Sequence, residues 1–341
     1  MALQGTTHSG SLLSNCSTSS PADNGDHTLD NNVFIKIMNL QNLISRGVYV
    51  YSMFGLVGLL LGIFILATYS INLKKKIKFE KLDIFIFTVT VADFILILFS
   101  ITDIMRPNPM KTSALSCAAL SFFFNVPYFY VEYIHVVVSF FLVYGHIELA
   151  RRALNKPLVT ILVTIGLSIF WSALITALIG VSQEPYKKVN CFVDPLEAPT
   201  QYGIIKFVFG FIMPNLIILG SILHFMIHST CMQNPQNPPS CRRNVHSHRL
   251  FLALVSVTFI CHLVYNVLLL LRQEAVNIYT IHKNQLMVII GELIVFVGSC
   301  LCLVAIVTFD EKMQNNVRKI LRCNTRTQNN RGERENETSL C

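Results

Sequence analysis

Polar and ionisable side chains interrupt long apolar stretches of this chain, where an isolated charge is energetically expensive. The set is Asp103, Glu132, His135, Lys206, His262, Tyr265, Asn266, Arg272 and Glu292. Groups of this kind inside a membrane usually face a water-filled cavity or one another. Their acids, bases, amide and phenol can bind a polar or zwitterionic molecule, such as a peptide end or an acidic metabolite. The residue types therefore predict a ligand-binding cavity and no cofactor.

Some of these groups also have purely structural interpretations. Glu132 and His135 are three residues apart, so they share one helix face and can pair with each other. Glu132 can instead pair with Lys206 and hold two helices together. Lys206 and Arg272 can also extend along an apolar surface until their charges reach water. The sequence leaves these alternatives open.

Enzyme chemistry is disfavoured by the histidine pattern. His224 and His228 have the i,i+4 spacing that puts two metal ligands on one side of a helix, as in a zinc-dependent intramembrane hydrolase. The apolar run from Leu286 to Phe309 supplies no third histidine. It also has no lysine of the kind that binds retinal as a Schiff base. We therefore expect neither an enzyme nor a metal site.

The elements that carry these groups are predicted from composition and run length. The chain has 52% hydrophobic and 13% charged residues, which is far too apolar for an ordinary soluble domain. Seven runs reach the ~20 residues that a membrane-spanning helix needs. They lie near Gly47–Leu73, Leu82–Met105, Cys117–Tyr144, Leu158–Ser182, Tyr202–His228, Leu250–Leu271 and Gln285–Phe309. The predicted fold is an all-α membrane protein, a seven-helix bundle without the internal repeat of a transporter.

The orientation follows from the basic residues, most of which fall in alternate loops and in the tail after Phe309. Those segments are predicted to be cytoplasmic, so the net charge of +8 is no sign of nucleic-acid binding. Residues 1–46 are predicted to form a disordered extracellular tail that lacks a cleavable signal peptide. Within it Asn15 begins an N-glycosylation motif, whereas the motif at Asn336 would be cytosolic and unmodified.

A short amphipathic helix is predicted over residues 310–323, lying on membrane lipid at the inner leaflet. Cys323 closes it and is a candidate for palmitoylation. Residues 324–341 are predicted to be a disordered cytoplasmic tail. Its last four residues, from Thr338 to Cys341, have the composition of an arrestin or PDZ-domain contact.

Several landmarks between Gly47 and Cys323 resemble the rhodopsin-like G-protein-coupled receptors. Val91-Ala92-Asp93 is similar to the Ala-Asp motif of their second span, the single Trp171 falls in the fourth, and Phe211-Ile212-Met213-Pro214 is similar to the Phe-x-x-Pro of the fifth. The resemblance implies a plasma-membrane receptor for an extracellular ligand, with G protein or arrestin as cytosolic partner.

The resemblance also implies roles for particular residues. Asp93 would bind sodium and couple it to activation, with Ser299 as an oxygen ligand. Cys117 and Cys191 would form the disulfide that tethers the outer loop, leaving Cys16 as an odd thiol. Transferred by register, the ligand contacts are Asp103, Lys206, Tyr265, Asn266 and Glu292, to which Glu132 and His262 are added as polar groups of the same cavity. Glu132 lies too deep to serve as the carboxylate of an amine receptor.

The chain departs from this family at the motifs that transmit the signal. Tyr144-Gly145-His146 stands where the family has Asp-Arg-Tyr. Cys261-His262-Leu263-Val264-Tyr265 replaces Cys-Trp-Leu-Pro-Tyr. In the seventh span Cys302, Leu303 and Ile306 stand where the Asn, Pro and Tyr of Asn-Pro-x-x-Tyr belong. Without proline, the sixth and seventh helices should be straighter and harder to swing. Two functions remain open, an atypically coupled receptor and a decoy that binds ligand without signalling.

Overall fold

The three-dimensional structure is a computed structural model that describes residues 27–74, 81–104, 110–144, 156–181, 184, 186–191, 200–231, 241–272, 278–310 and 312–318. Seven long helices, α1 to α7, dominate this part of the chain. Six of them are α1 (His27–Lys74), α2 (Lys81–Ile104), α3 (Ala114–Tyr144), α4 (Pro157–Val181), α6 (Cys241–Leu270) and α7 (Ile278–Phe309). The fifth, α5, consists of Thr200–Phe207, a π-helical turn at Val208–Ile212, and Met213–Cys231.

Each of the seven spans predicted from hydropathy is confirmed by one of these helices. All seven are long and apolar enough to cross a membrane, the shortest candidate span being Leu82–Phe99 with 18 residues. Helices suit this environment because they satisfy their backbone hydrogen bonds internally, where no water is available. The chain is therefore a multi-pass, all-α membrane protein.

The first helix begins earlier than predicted. It starts at His27, so the expectation of a disordered tail through residue 46 is wrong for residues 27–46. No proline or glycine lies between Gly25 and Gly47 to interrupt a helix. Extending an existing helix adds one hydrogen bond for each residue fixed and needs no new nucleus, which explains the extension. Residues 1–26, including Asn15, are outside the described part.

The helix faces show the polarity expected of a lipid-embedded bundle. On α4, Ser168 and Ser172 are fully buried, whereas Leu162 and Phe170 are exposed. The two serine hydroxyls donate to the carbonyl oxygens four residues earlier, at 2.8 and 2.7 Å. A hydroxyl group inside a bundle needs such a partner because water cannot supply one. Polar atoms thus point inward and hydrocarbon points outward.

A small two-stranded antiparallel sheet that the sequence did not predict covers one end of the bundle. Strands β1 (Met110–Ser113) and β2 (Lys188–Cys191) pair antiparallel, with Met110 opposite Cys191. Cys191 is joined to Cys117 near the start of α3 by a disulfide, with a Cα–Cα distance of 5.6 Å. This is the pairing that the family resemblance implies. We call this end of the molecule the disulfide end.

The opposite end carries a short eighth helix, α8, at residues 312–318. Its Met313 is buried and its Lys312 is exposed, as an amphipathic helix requires. The ammonium of Lys312 lies 2.5 Å from a carboxylate oxygen of Asp83 at the start of α2. Asp310 accepts hydrogen bonds from the Lys312 backbone N–H and from the hydroxyl of Tyr69. These contacts tie the α8 end to α1 and α2. The palmitoylation candidate Cys323 lies outside the described residues.

A π-helical turn reshapes α5 immediately before its proline. Pro214 lacks an N–H, so it cannot make the backbone bond that the preceding helix expects. In the turn Val208–Ile212, the N–H of Met213 bonds five residues back instead of four. The carbonyl oxygen of Phe209 is thereby released, and the hydroxyl of Tyr133 on α3 donates to it at 2.8 Å. A side chain of a neighbouring helix therefore supplies the hydrogen bond that this carbonyl oxygen lacks within α5.

Candidate functional site

The centre of the candidate site is the fully buried side chain of Lys206 on α5. Its Nζ lies 5.2, 4.9, 5.5 and 4.8 Å from the ring centroids of Phe124, Tyr128, Tyr202 and Tyr265. Phe124 and Tyr128 place a ring over the ammonium, and a ring face stabilises a cation through its quadrupole. Tyr202 and Tyr265 instead present their hydroxyl groups to it. We call these four rings the aromatic cage. The alternative in which Lys206 extends outward to water is excluded by its burial.

Hydroxyl groups add to the solvation of this ammonium. Nζ donates to the hydroxyl oxygen of Tyr265 at 2.5 Å and to that of Tyr202 at 3.4 Å. The Tyr202 hydroxyl also accepts from the side-chain amide of Asn125 at 3.2 Å and lies 3.3 Å from the hydroxyl of Ser121. Ser121 is one helical turn from Cys117, so this polar group lies directly beneath the disulfide.

A buried acid–base pair lies deeper in the bundle. An oxygen of Glu132 on α3 lies 2.6 Å from Nδ1 of His262 on α6, and both residues are buried. The other carboxylate oxygen accepts from the amide of Asn215 on α5 at 3.2 Å. Glu132 thus pairs across helices with His262 and Asn215, and not with His135 or Lys206, the two alternatives that the sequence left open. A carboxylate with two partners is far better tolerated in an apolar interior than an isolated one.

Tyr128 connects the aromatic cage to this pair. Its ring stacks on the imidazole of His262, with centroids 4.5 Å apart and an interplanar angle of 22°. The amide of Asn266 donates to the Tyr128 hydroxyl and to the backbone carbonyl of His262, each at 2.7 Å. Continuous contacts therefore run from Lys206 through Tyr128 to His262 and Glu132.

Close helix packing fixes the positions of these groups. A Cβ added at Gly210 of α5 would lie 2.9 Å from a ring carbon of Phe129 and 3.0 Å from one of Tyr128. Only glycine lets the α5 backbone approach the α3 rings this closely. From the other side, Trp171 of α4 stacks on Phe209 with centroids 3.9 Å apart. The π-helical turn is thus held between α3 and α4.

Asp93 and Ser299 form a second, separate polar site between α2 and α7. Both are buried, and the hydroxyl of Ser299 hydrogen-bonds to the Asp93 carboxylate. The second carboxylate oxygen, Oδ2, has no hydrogen-bond partner in the described structure. Cys300 and Cys302 of α7 are buried neighbours. The structure brings together the two residues that the family resemblance associates with sodium.

The remaining predicted ligand contacts are less informative. Glu292 is buried on α7. Asp103 belongs to the last turn of α2, and its side chain is outside the described part. Within the described ranges, no three His, Cys, Asp or Glu side chains are placed to hold a metal ion together. His224, whose i,i+4 pair with His228 was disfavoured as a zinc site, is exposed on α5, and the side chain of His228 is outside the described part.

Sequence reasoning missed several members of the site. Ser121, Asn125, Tyr128 and Tyr202 are fully buried, as are Lys206 and Asn266, which it did include. On α3, the residues Ser121, Asn125, Tyr128 and Glu132 follow a spacing of four, three and four. Such spacing puts side chains on one helix face. A polar stripe with helical periodicity in an apolar span was the available indication.

Comparisons with known proteins do not assign this chain to a family. No protein-family model matches the chain, and no curated protein sequence matches it. The fold class consequently rests on the seven spanning helices, and any assignment of function depends on the site itself.

Proposed function

We propose that this protein is a cell-surface seven-helix receptor of the G-protein-coupled kind, which binds a soluble polar ligand at the disulfide end and signals to the cytosol. The proposal includes a plasma-membrane location, an extracellular N-terminus and a cytoplasmic C-terminus. G protein and arrestin are the proposed cytosolic partners. The basic loops, the motifs around Asp93, Trp171 and Pro214, and the seven spans support this class.

One observation supports the proposal most directly. A buried cation beneath the disulfide is linked by stacked and hydrogen-bonded groups to an acid–base pair between α3, α5 and α6. Lys206, Tyr128 and Glu132 mark the start, middle and end of this connection. A ligand that disturbs the Lys206 end would alter the contacts that hold three helices together. This is a physical route for coupling, since two sites must share a structural element that both can bias.

A second candidate function is a decoy receptor, and a specific feature favours it. Leu303 and Ile306 occupy two α7 positions of the altered signalling motif and are fully buried among apolar side chains. Cys302 occupies the third and is buried 3.6 Å from the hydroxyl of Thr258 on α6. Both α6 and α7 are continuous helices without an internal proline. An apolar interface between uninterrupted helices resists a swing of either one. Such a protein would bind its ligand without transmitting a signal.

Basal second-messenger levels in transfected cells test the signalling proposal. The wild type is compared with Asp93→Asn, which changes the buried carboxylate, and with Gly145→Arg, which restores a basic residue at a position outside the described residues. An N-terminal tag detected on intact cells measures surface level and orientation together. We expect at least one variant to change the messenger level. If all three proteins reach the surface and none differs from untransfected cells, signalling fails and the decoy function is favoured.

A further inference from the structure

The aromatic cage has the composition of a binding site for an organic ammonium group. Its four rings surround one nitrogen at 4.8 to 5.5 Å, and that nitrogen is fully buried. Proteins recognise methylated and primary ammonium ligands with such aromatic arrangements, because each ring face carries partial negative charge. Here the cation is supplied by the chain's own Lys206.

The wall of the cage is rich in acceptor atoms. The hydroxyls of Tyr202 and Tyr265 accept from the ammonium. Asn125 and Asn266 border the cage by donating to the Tyr202 and Tyr128 hydroxyls. Their amide oxygens are buried and have no hydrogen-bond partner in the part of the chain that the structure describes. The faces of Phe124 and Tyr128, the tyrosine hydroxyl oxygens and these amide oxygens all favour positive charge over negative charge.

We propose that the aromatic cage is an ammonium-binding site and that Lys206 occupies it as an intramolecular ligand. In the wild-type protein the tethered ammonium excludes external organic cations from the cage. An external alkylammonium group enters only when the Lys206 side chain is removed or displaced. This proposal concerns recognition at the cage, so it holds for a signalling receptor and for a decoy alike.

The tether suggests a matched probe. Lys206→Ala removes Cγ, Cδ, Cε and Nζ, which together correspond to propylammonium. Propan-1-ol has the same chain length without the charge, and propionate carries the opposite charge. A cage that recognises ammonium distinguishes these three molecules, whereas an apolar cavity accepts the neutral alcohol best.

The experiment measures the unfolding temperature of purified full-length protein in detergent micelles during titration with each probe. For Lys206→Ala we expect propylammonium at saturating concentration to raise the midpoint by roughly 3 to 5 °C. We expect no comparable effect of propan-1-ol or propionate. Wild-type protein should not respond to propylammonium, because its cage is already filled.

Two further variants locate the effect. Adding Phe124→Leu to Lys206→Ala removes one ring of the cage and should weaken the propylammonium response at least threefold. The matched control adds Phe123→Leu instead, at the adjacent phenylalanine whose side chain is 59% exposed. That control should leave the response unchanged.

Three outcomes would overturn the proposal. The first is an equal response of Lys206→Ala to propan-1-ol, which would show simple cavity filling. The second is an equal response of the wild type to propylammonium, and the third is no response of either protein. If Lys206→Ala does not fold alone, propylammonium is added during expression and the yield of folded protein is measured. Restored yield with propylammonium but not propan-1-ol supports the ammonium site, and failure of both probes contradicts it.

Discussion

The interior near the disulfide end and the interior around α7 near the α8 end are held together by different kinds of contact. Around Lys206, the helices α3, α5 and α6 are joined by named polar contacts, with Glu132, His262 and Asn215 at the deep end. Along the half of α7 nearer to α8, Leu303 and Ile306 are buried among apolar side chains. Directional contacts specify one geometry and are lost together when one partner is removed. Apolar packing depends on volume and tolerates exchange of equal shapes.

This difference matters for any transmission of a signal. A ligand can disturb hydrogen bonds and ion pairs at the disulfide end through small movements of polar atoms. An apolar interface responds only when a whole helix face shifts. The molecule therefore combines an interior suited to specific recognition with one suited to mechanical stability. Three sets of substitutions test whether the two regions differ in this way.

The largest effect is expected from the acid–base pair. Glu132→Leu leaves the imidazole of His262 without its carboxylate and should lower the free energy of unfolding by about 3 kcal/mol. His262→Leu should cost a similar amount, because it leaves a buried carboxylate. The double substitution should cost less than the sum of the two by about 2 kcal/mol. Denaturant unfolding in detergent measures all three, and strict additivity would show that the contact is not specific.

A smaller effect is expected at the contact of α6 with α7. A Cβ at Gly298 would lie 2.9 Å from both Cβ and Sγ of Cys261, and a Cβ atom cannot rotate away. Gly298→Ala should therefore lower the free energy of unfolding by about 1 to 3 kcal/mol. The matched control is Gly166→Ala on α4, where an added Cβ would meet no atom within 4 Å outside its own stretch of helix. That change should be neutral or stabilising by up to about 1 kcal/mol. Equal effects at the two sites would contradict close packing of α6 on α7.

The smallest effect is expected at the α8 end, in the pH dependence of stability. Burial raises the pKa of the Asp310 carboxyl group above its ordinary value. The folded state therefore holds this proton more tightly than the unfolded chain does. The resulting stabilisation is present at low pH and is lost as pH rises through the raised pKa.

Asp310→Asn removes this titration. The stability of the wild type relative to the variant should fall as pH rises from about 4, the ordinary pKa of such a group, towards neutrality. Unfolding temperatures of both proteins across this range provide the measurement. Lys312→Ala retains the carboxyl group but removes a positive charge that lowers the pKa of Asp310, so it should keep the pH dependence and move it to higher pH. Parallel curves for wild type and Asp310→Asn would contradict the raised pKa.

The spanning helices were predictable because a single physical requirement, about 20 apolar residues per crossing, defines them. The early start of α1 was not, because helix extension at His27 depends on the absence of a breaker and not on hydropathy. The pairing of β1 with β2 was not predictable either. The two strands have four residues each and lie far apart in the chain, with α3 and α4 between them.

For the site, sequence identified Lys206, Tyr265, His262 and Glu132 as buried polar groups but not their partners. Spacing along one helix shows which residues share a face, such as Glu132 and His135. It does not show which residue of another helix lies at the same depth, and that depth determines the pairing of Glu132 with His262. The cage rings were missed because tyrosine and phenylalanine are ordinary residues in an apolar span.

The π-helical turn before Pro214 has a consequence for sequence comparison. It contains one residue more than a regular α-helical segment of equal rise, and each extra residue rotates the preceding helix by about 100°. A gapless alignment through Pro214 with a protein that lacks the turn would therefore place Lys206 opposite a position on the wrong helix face. Homology searches and register-based site assignments for this chain should allow a one-residue gap between Val208 and Ile212.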